Sequence, residues 1–342
     1  MKKQEQKVGK LSVKDIQAKL NKKFKSSSYQ AFVLENGENP TKIKQWISTG
    51  SDWLDAIIAK GMKAGIPVGR VTELAGLESS GKSYLAALIC ANAQKMGIVP
   101  VYFDSEWSID PTFWSNLGIQ EDEILFIPAH SVEFVFETIK NMINENPGVQ
   151  FLFVLDSLAN TPTKSSEDAD EVNPAATVSQ KARIASEAMQ QLTIPLEEGQ
   201  HTMLILNQLK TRVGTTESGA MIGKYTPDED KWFTPGGKAL HYAYSLRIWL
   251  KRGSAKKEFI TNENGFRIGA EVKAKLKKCR FGTEGRECRF KIVWGDDTQL
   301  GVRNVESILE AIQTSEKIKS NGPWSGIEGT DFKFQIVTGK QS

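Results

Sequence analysis

The chain has 342 residues, enough for two domains or for one large domain with appendages. Hydrophobic residues make up 39% and charged residues 25%, which excludes a fibrous or wholly disordered chain. The net charge of +3 conceals two basic stretches, nine Lys against Glu5 and Asp15 in residues 1–28, and thirteen Lys/Arg against five Glu in residues 250–291. Each stretch reads either as a solvated charged face or as a surface for a polyanion.

The Lys-rich N-terminus leads into no apolar h-region, so no secretory signal is expected. Val13, Ile16, Leu20 and Phe24 recur at helical spacing behind Ser12, a fitting N-cap. This short helix must dock on something. Ser26–Ser28 breaks it, the apolar segment Tyr29–Leu34 follows, and Asn36–Pro40 reads as a turn. Residues 1–40 therefore form an N-terminal arm.

From 41 to 295, apolar strand-like runs alternate with helical patterns. The strands are Arg70–Ala75, Ile98–Asp104, Ile124–Ile127, Phe151–Asp156 and His201–Asn207. Their near-continuous hydrophobicity fits parallel strands buried on both faces. The helices are Lys82–Gln94, Val132–Asn144 and Val178–Glu197. The alternation predicts an α/β fold, a mostly parallel twisted sheet flanked by helices. After Gly237, three successive strands, Tyr244–Lys251, Phe266–Leu276 and Cys288–Trp294, predict an antiparallel extension. Residues 296–342 form a small C-terminal region with one helix, marked by Val305, Ile308, Leu309 and Ile312, and a turn at Asn321–Trp324.

Pro162–Ala176 and Leu209–Pro235 read as mobile loops, and runs that long are functional or disordered. No apolar run approaches the about 20 residues of a membrane helix, so no membrane partner is expected. Cys90 reads as a small buried hydrophobe. Cys279 and Cys288 lack zinc-ligand spacing, and the set of three suits a reducing cytoplasm.

The sharpest signal is Gly76-Leu77-Glu78-Ser79-Ser80-Gly81-Lys82-Ser83. It fits the phosphate-loop pattern G-x-x-x-x-G-K-[ST] and stands between a predicted strand and a predicted helix. Backbone N–H groups of such a loop wrap a phosphate, and the helix N-terminus adds its positive end. Lys82 would reach the β- and γ-phosphates and Ser83 would hold Mg²⁺. Asp156, at the tip of an apolar strand, supplies the acidic partner of the metal. Glu106 follows another strand tip and is the candidate to activate water, ahead of Asp104. Gln208 ends a strand just before the long second loop and could report the γ-phosphate to it.

These pieces, together with Ile47–Ser51, Phe103–Glu106, Leu155–Ser157, Leu206–Gln208 and Gly236–Leu240, resemble the RecA family of homologous-recombination ATPases, its phage branch included. The resemblance covers about residues 12–295. It implies a RecA-like P-loop core that uses ATP and Mg²⁺, polymerises on single-stranded DNA, pairs it with homologous duplex and exchanges strands.

By position it implies catalytic roles for Glu106, Lys82 and Gln208. Gly76, Glu78, Ser79, Ser80, Gly81, Lys82 and Ser83 would hold phosphate, Asp110 and Phe113 would line the adenine, and Ser83 and Asp156 would serve the metal. Lys278 and Arg280 match two basic residues that a neighbouring subunit lends to the nucleotide, Arg280 replacing the family's usual Lys. The first DNA loop would span about 162–178, with Val178 at its end and Arg183 after it. The second would span 209–235, with Lys210, Arg212 and Val213 nearest DNA and Gly236 and Gly237 closing it.

Trp232 and Phe233 would stack on bases or anchor that loop, and the acidic Asp228-Glu229-Asp230 would point away from phosphate. The N-terminal helix and Tyr29–Leu34 would dock on the adjacent subunit. Single-strand-binding and loader proteins are further expected partners, in a bacterial cytoplasm or in a host's if the chain is phage-encoded. The C-terminal region is short beside the family's duplex-capturing domain. A RecA-like ring helicase or motor shares the same motifs, and a non-catalytic coating or mediator protein would share the fold. The intact Lys82, Ser83, Glu106 and Asp156 speak against the latter.

Overall fold

The structure is a computed structural model that describes residues 12–24, 31–33, 42–59, 64–107, 109–167, 174–215, 218–223, 226–253, 255, 258–295, 300–313, 318–321, 324–328 and 333–335. It divides into two units, Met1–Lys44 and Gln45–Ser342.

In the first unit, α1 (Val13–Lys23) begins at the expected cap. Ser12 Oγ accepts the Asp15 N–H and Asp15 Oδ2 accepts the Ser12 N–H, each at 3.1 Å, a reciprocal capping box. Val13, Ile16, Leu20 and Phe24 are all exposed and form one apolar stripe. Asn21 ties down the extended Ala31: Oδ1 accepts its N–H at 2.7 Å and Nδ2 donates to its carbonyl at 3.1 Å. Of the predicted apolar segment, residues 29, 30 and 34 lie outside the described residues, as does the predicted turn at 36–40.

The second unit runs β1 (Trp46–Ile47), α2 (Asp52–Ile58), β2 (Ile66–Pro67), β3 (Val71–Gly76), α3 (Lys82–Gln94), β4 (Val99–Asp104), α4 (Pro111–Asn116), β5 (Leu125–Pro128), α5 (Val132–Glu145), β6 (Phe151–Asp156), α6 (Lys164–Glu167), α7 (Pro174–Glu198) and β7 (Thr202–Gln208). It continues through β8 (Lys210–Thr211), α8 (Asp228–Lys231), β9 (Trp232–Phe233), α9 (Gly237–Ala243), β10 (Leu246–Arg252), β11 (Phe259–Thr261), β12 (Arg267–Cys279), β13 (Glu287–Val293), β14 (Gly301–Val302), α10 (Asn304–Gln313), β15 (Ile318–Asn321), β16 (Trp324–Ile327) and β17 (Lys333–Gln335).

One large sheet carries the unit, in the order β14-β13-β12-β10-β3-β7-β6-β4-β5, with β11 paired to β12. From β10 to β5 every pairing is parallel, and beyond β10 every pairing is antiparallel. The expected antiparallel extension therefore starts at β12. The strand predicted to open it, β10, also lies parallel to β3.

Alternating side chains fill two cores, one on each face. Leu74, Tyr102, Val154 and Leu204 pack with Leu85 and Ile89 of α3. Phe103, Phe153 and Ile205 pack with Val135 of α5, Met189 of α7 and Leu240 of α9. This double burial is why the strands read as unbroken apolar runs.

The two long segments read as loops carry structure. In the first, Lys164–Glu167 is helical and α7 begins at Pro174, with 168–173 outside the described residues. In the second, β8 and β9 pair as Lys210↔Phe233 and Thr211↔Trp232, and α8 precedes β9. Neither short strand has a periodic pattern that a sequence could display. The C-terminal sheet β15-β16-β17 was likewise not foreseen, although Asn321↔Trp324 closes its first hairpin where a turn was expected.

Candidate nucleotide and DNA site

Strand register assembles the site. Gly76 pairs with Gln208 on one side and Leu250 on the other, and Asp104 pairs with Asp156. These positions share the carboxyl edge of the parallel sheet, where open α/β sheets take their ligands.

The loop between β3 and α3 has the shape of a phosphate cradle. Gly81 adopts φ +91° and forms the N-cap of α3. A Cβ on Gly76 would lie 2.2 Å from Ser80 Oγ and 2.8 Å from the Leu250 carbonyl, so only glycine fits. Lys82 Nζ donates to the carbonyls of Leu77 at 2.9 Å and Gly76 at 3.3 Å. Burial pulls its ammonium below the ordinary lysine range, opposed by the carboxylates of Asp156, Glu106 and Glu78.

Ser83 Oγ and Tyr102 OH both donate to Asp156 Oδ2, each at 2.7 Å. Burial raises the Asp156 carboxyl above its ordinary value, the two hydroxyl donors work against that, and Glu106 and Asp104 add to it. The Tyr102 phenol is pushed well up by burial and by Asp156. The hydroxyls of Ser80 and Ser157 are buried with no partner. Unmet polar atoms in a glycine cradle, beside a cation and a carboxylate on a serine, fit a nucleoside triphosphate with a divalent cation.

Asp104 is buried and its Oδ1 accepts the Glu106 N–H at 2.7 Å, which fixes the turn after β4. The Glu106 side chain lies at the surface and accepts from Asn160. Asp110 caps α4, its Oδ1 accepting the Thr112 N–H at 3.0 Å. Phe113 meets the edge of Tyr84 with ring centroids 5.5 Å apart. A groove of about 410 Å³ runs from Ser79–Tyr84 to Arg252, Val272, Ile292 and Trp294. Tyr84 is fixed at its wall, donating to Val293 O at 2.6 Å and accepting from Gly301 N–H at 2.7 Å. Sequence reasoning missed Tyr84, which stands on α3 beside the loop, and Trp294, which reaches the groove just after β13.

Lys278 and Arg280 lie apart from their own phosphate loop. Lys278 pairs with Arg247, which pairs with Glu73 in the middle of β3, three residues before Gly76 ends that strand. Lys278 Nζ donates to the His241 and Tyr242 carbonyls at 2.8 and 3.2 Å, and Arg280 Nη2 donates to Tyr242 O at 2.8 Å. Both thus cap the C-terminus of α9. Burial, then Arg280 and Arg247, bring the Lys278 ammonium down to about 8.

The expected DNA residues surround α7 and the second loop. Val178 belongs to α7, and its side chain lies outside the described ones. Arg183 is exposed and pairs with Glu187 at 3.0 Å. Lys210 is exposed on β8, Val213 is 97% exposed, and the Arg212 guanidinium stands 5.4 Å from the Phe233 ring centroid. Phe233 pairs with Lys210 and Trp232 with Thr211 across β8 and β9. Gly236 and Gly237 take φ +116° and +75° where the loop enters α9.

A cavity of about 510 Å³ opens on the face that carries Trp249. Trp232, Trp249, Leu77 and Leu209 line its floor. Its rim holds Lys251, Arg252, Lys273, Lys275 and Arg289 against Glu258, Glu271 and Glu287.

A parallel sheet bearing this loop and this serine–aspartate pair at its carboxyl edge defines a P-loop nucleoside triphosphatase. A family model for the RecA N-terminal domain matches residues 11–299. The chain is 30% identical over 313 residues to Protein RecA of Fusobacterium nucleatum subsp. nucleatum, covering 92% of this chain and 75% of that one. It is 31% identical over 302 residues to Protein RecA of Ruminococcus albus, with 88% and 69% covered. With Protein RecA of Colwellia psychrerythraea it shares 30% over 298 residues, with 87% and 78% covered.

The chain belongs to the RecA family. It is an ATP-dependent recombinase of homologous recombination and repair, a DNA-dependent ATPase that uses ATP and Mg²⁺, binds single- and double-stranded DNA and forms filaments.

Proposed function

We propose that the nucleotide is held between two copies of this chain, and that its presence decides how firmly the second loop grips DNA. The observation that carries this is the strand register. Gly76, Gln208 and Asp156 share one edge, while Lys278, level with Glu73 across β10, and Arg280 lie away from that edge with their charges on the α9 terminus. Two cations so placed are away from the chain's own phosphate loop, which supports their use on a neighbour's phosphates.

Within one subunit, Lys82 and the loop N–H groups hold phosphate, and Ser83 and Asp156 hold Mg²⁺. The metal, when bound, neutralises charge on the β- and γ-phosphates. Glu106 positions water and accepts its proton. Trp294 and Tyr84 wall the base, with Asp110 and Phe113 nearby. Gln208, in register with Gly76 and one residue from the second loop, reads the γ-phosphate. Lys210, Arg212, Val213, Gly236, Gly237, Arg183 and Val178 form the primary DNA surface. Arg183 must first leave Glu187.

Phosphate contacts of this kind give affinity without sequence preference, and base pairing between strands reads homology. The basic rim over Trp249 suits a second DNA strand. The α1 stripe docks on an adjacent subunit, where the edge strand β5 offers exposed Leu125 and Phe126. Single-strand-binding and loader proteins assist assembly, in a bacterial or a host cytoplasm.

The test is negative-stain imaging with single-stranded DNA, with and without a slowly hydrolysed ATP analogue, alongside phosphate release. Long filaments with the analogue, and Glu106→Gln protein that still assembles but hydrolyses on the order of a hundredfold more slowly, are expected. Lone particles indifferent to both ligands, or normal turnover by Glu106→Gln, would overturn the reading.

A further inference from the structure

One buried charge is absorbed by neither the phosphate cradle nor the DNA surface. Glu73 lies in the middle of β3 and is 0% exposed. Its Oε2 accepts from Arg247 Nε of β10 at 2.6 Å, and its Oε1 accepts from Asn207 Nδ2 of β7 at 3.0 Å. Both partners reach further. Asn207 Nδ2 also donates to the Pro235 carbonyl at 2.9 Å, and Asn207 Oδ1 accepts the Gln208 N–H at 3.0 Å. Arg247 Nη2 donates to Thr234 Oγ1 at 2.9 Å, and Thr234 Oγ1 lies 3.1 Å from His241 Nε2. One carboxylate thus ties together the strand end bearing Gln208, the residues Thr234–Pro235 where the second loop returns, and the helix α9 that follows.

An ion pair is a poor device for stability alone, because the desolvation it requires can match its attraction. What such a pair does well is fix geometry. Two of the three elements tied here, the strand end and the loop exit, must move together if nucleotide is to control DNA. The phosphate-reading strand end and the loop exit are 26 residues apart in sequence, Gln208 to Thr234, yet both are bonded to partners of the same side chain.

We propose that Glu73, with Asn207 and Arg247, is the positioning centre that couples nucleotide state to the second DNA loop, and that Thr234 is its contact on the loop. The inference rests on the reading of Gln208 and of residues 209–235 given above. It predicts that breaking the Thr234 link leaves the ATPase site whole but disconnects it from DNA.

The experiment measures steady-state phosphate release by full-length protein, with and without poly(dT), across ATP concentrations. Thr234→Val keeps the shape and removes the hydroxyl that Arg247 and His241 share. Its DNA-stimulated kcat should fall about tenfold, the size of a typical coupling between sites, while its DNA-free rate and KM for ATP stay near wild type. Thr234→Ser restores the hydroxyl and should restore stimulation. Glu73→Gln should behave like Thr234→Val if it folds, and the Thr234 pair decides the matter if it does not.

Gln208→Ala is run in parallel. If it keeps full DNA stimulation, the reading of Gln208 falls. If it loses stimulation and Thr234→Val does not, the positioning centre alone is wrong. Equal loss of DNA-free and DNA-stimulated rates in Thr234→Val, or no rescue by Thr234→Ser, reduces the network to a structural one and overturns the proposal.

Discussion

Lys278 offers a proton-linked test of the shared nucleotide. Its ammonium is held down to about 8 by burial and by Arg280 and Arg247. A neighbour's phosphates need it charged. From that value, about nine-tenths of free subunits carry the charge at pH 7 and about one-tenth at pH 9. The subunit–subunit association constant should therefore fall by up to about tenfold between those pH values. The side chain is only partly buried, so salt trims this, and the full effect is expected only at low ionic strength.

The subunit's own stability moves the other way. Its folded pKa lies below the ordinary lysine value of 10.5, so protonation favours the unfolded chain, and stability rises as pH climbs from about 8 toward 10.5. Lys278→Arg keeps a charge throughout this range and should flatten the assembly profile. Light scattering with a slowly hydrolysed ATP analogue at pH 7, 8 and 9 reads the difference. Parallel decline of wild type and Lys278→Arg would refute the argument.

Three further outcomes are expected. Gly76→Ala forces a methyl against Ser80 Oγ and the Leu250 backbone, so nucleotide affinity measured by titration calorimetry should drop at least about tenfold, with a stability loss of about 1–3 kcal/mol. Tyr102→Phe removes a fully buried donor to Asp156 and should cost about 1–2 kcal/mol in urea unfolding while raising the Mg²⁺ needed for half-maximal ATPase. Removing residues 1–34 should leave a cooperatively folding core that binds ATP but forms no filaments under the electron microscope, because the exposed α1 stripe goes with them.

Much of the core was legible from residues alone. The phosphate loop could be read because its glycines answer to backbone sterics that few other residues satisfy. Asp156 and Gln208 could be placed because a strand buried on both faces must end in a polar tip at the sheet edge. The helix over 132–144 was legible because one apolar stripe faces a single core.

What lay hidden depends on which strands become neighbours. Glu73 stands inside a run that reads as apolar, and nothing in the sequence names Arg247 and Asn207 as its partners. Trp294 joins Tyr84 at one groove only because β13 folds back beside β12. Lys278 was matched by motif, yet its distance from its own phosphate loop follows from β12 running antiparallel to β10. Local sterics and periodicity are written residue by residue, so the sequence by itself determined the loop, the strands and the helices around them. Pairings between segments far apart along the chain are settled only when all the strands compete for places in one sheet, and that competition decided the buried network and the position of Lys278 and Arg280.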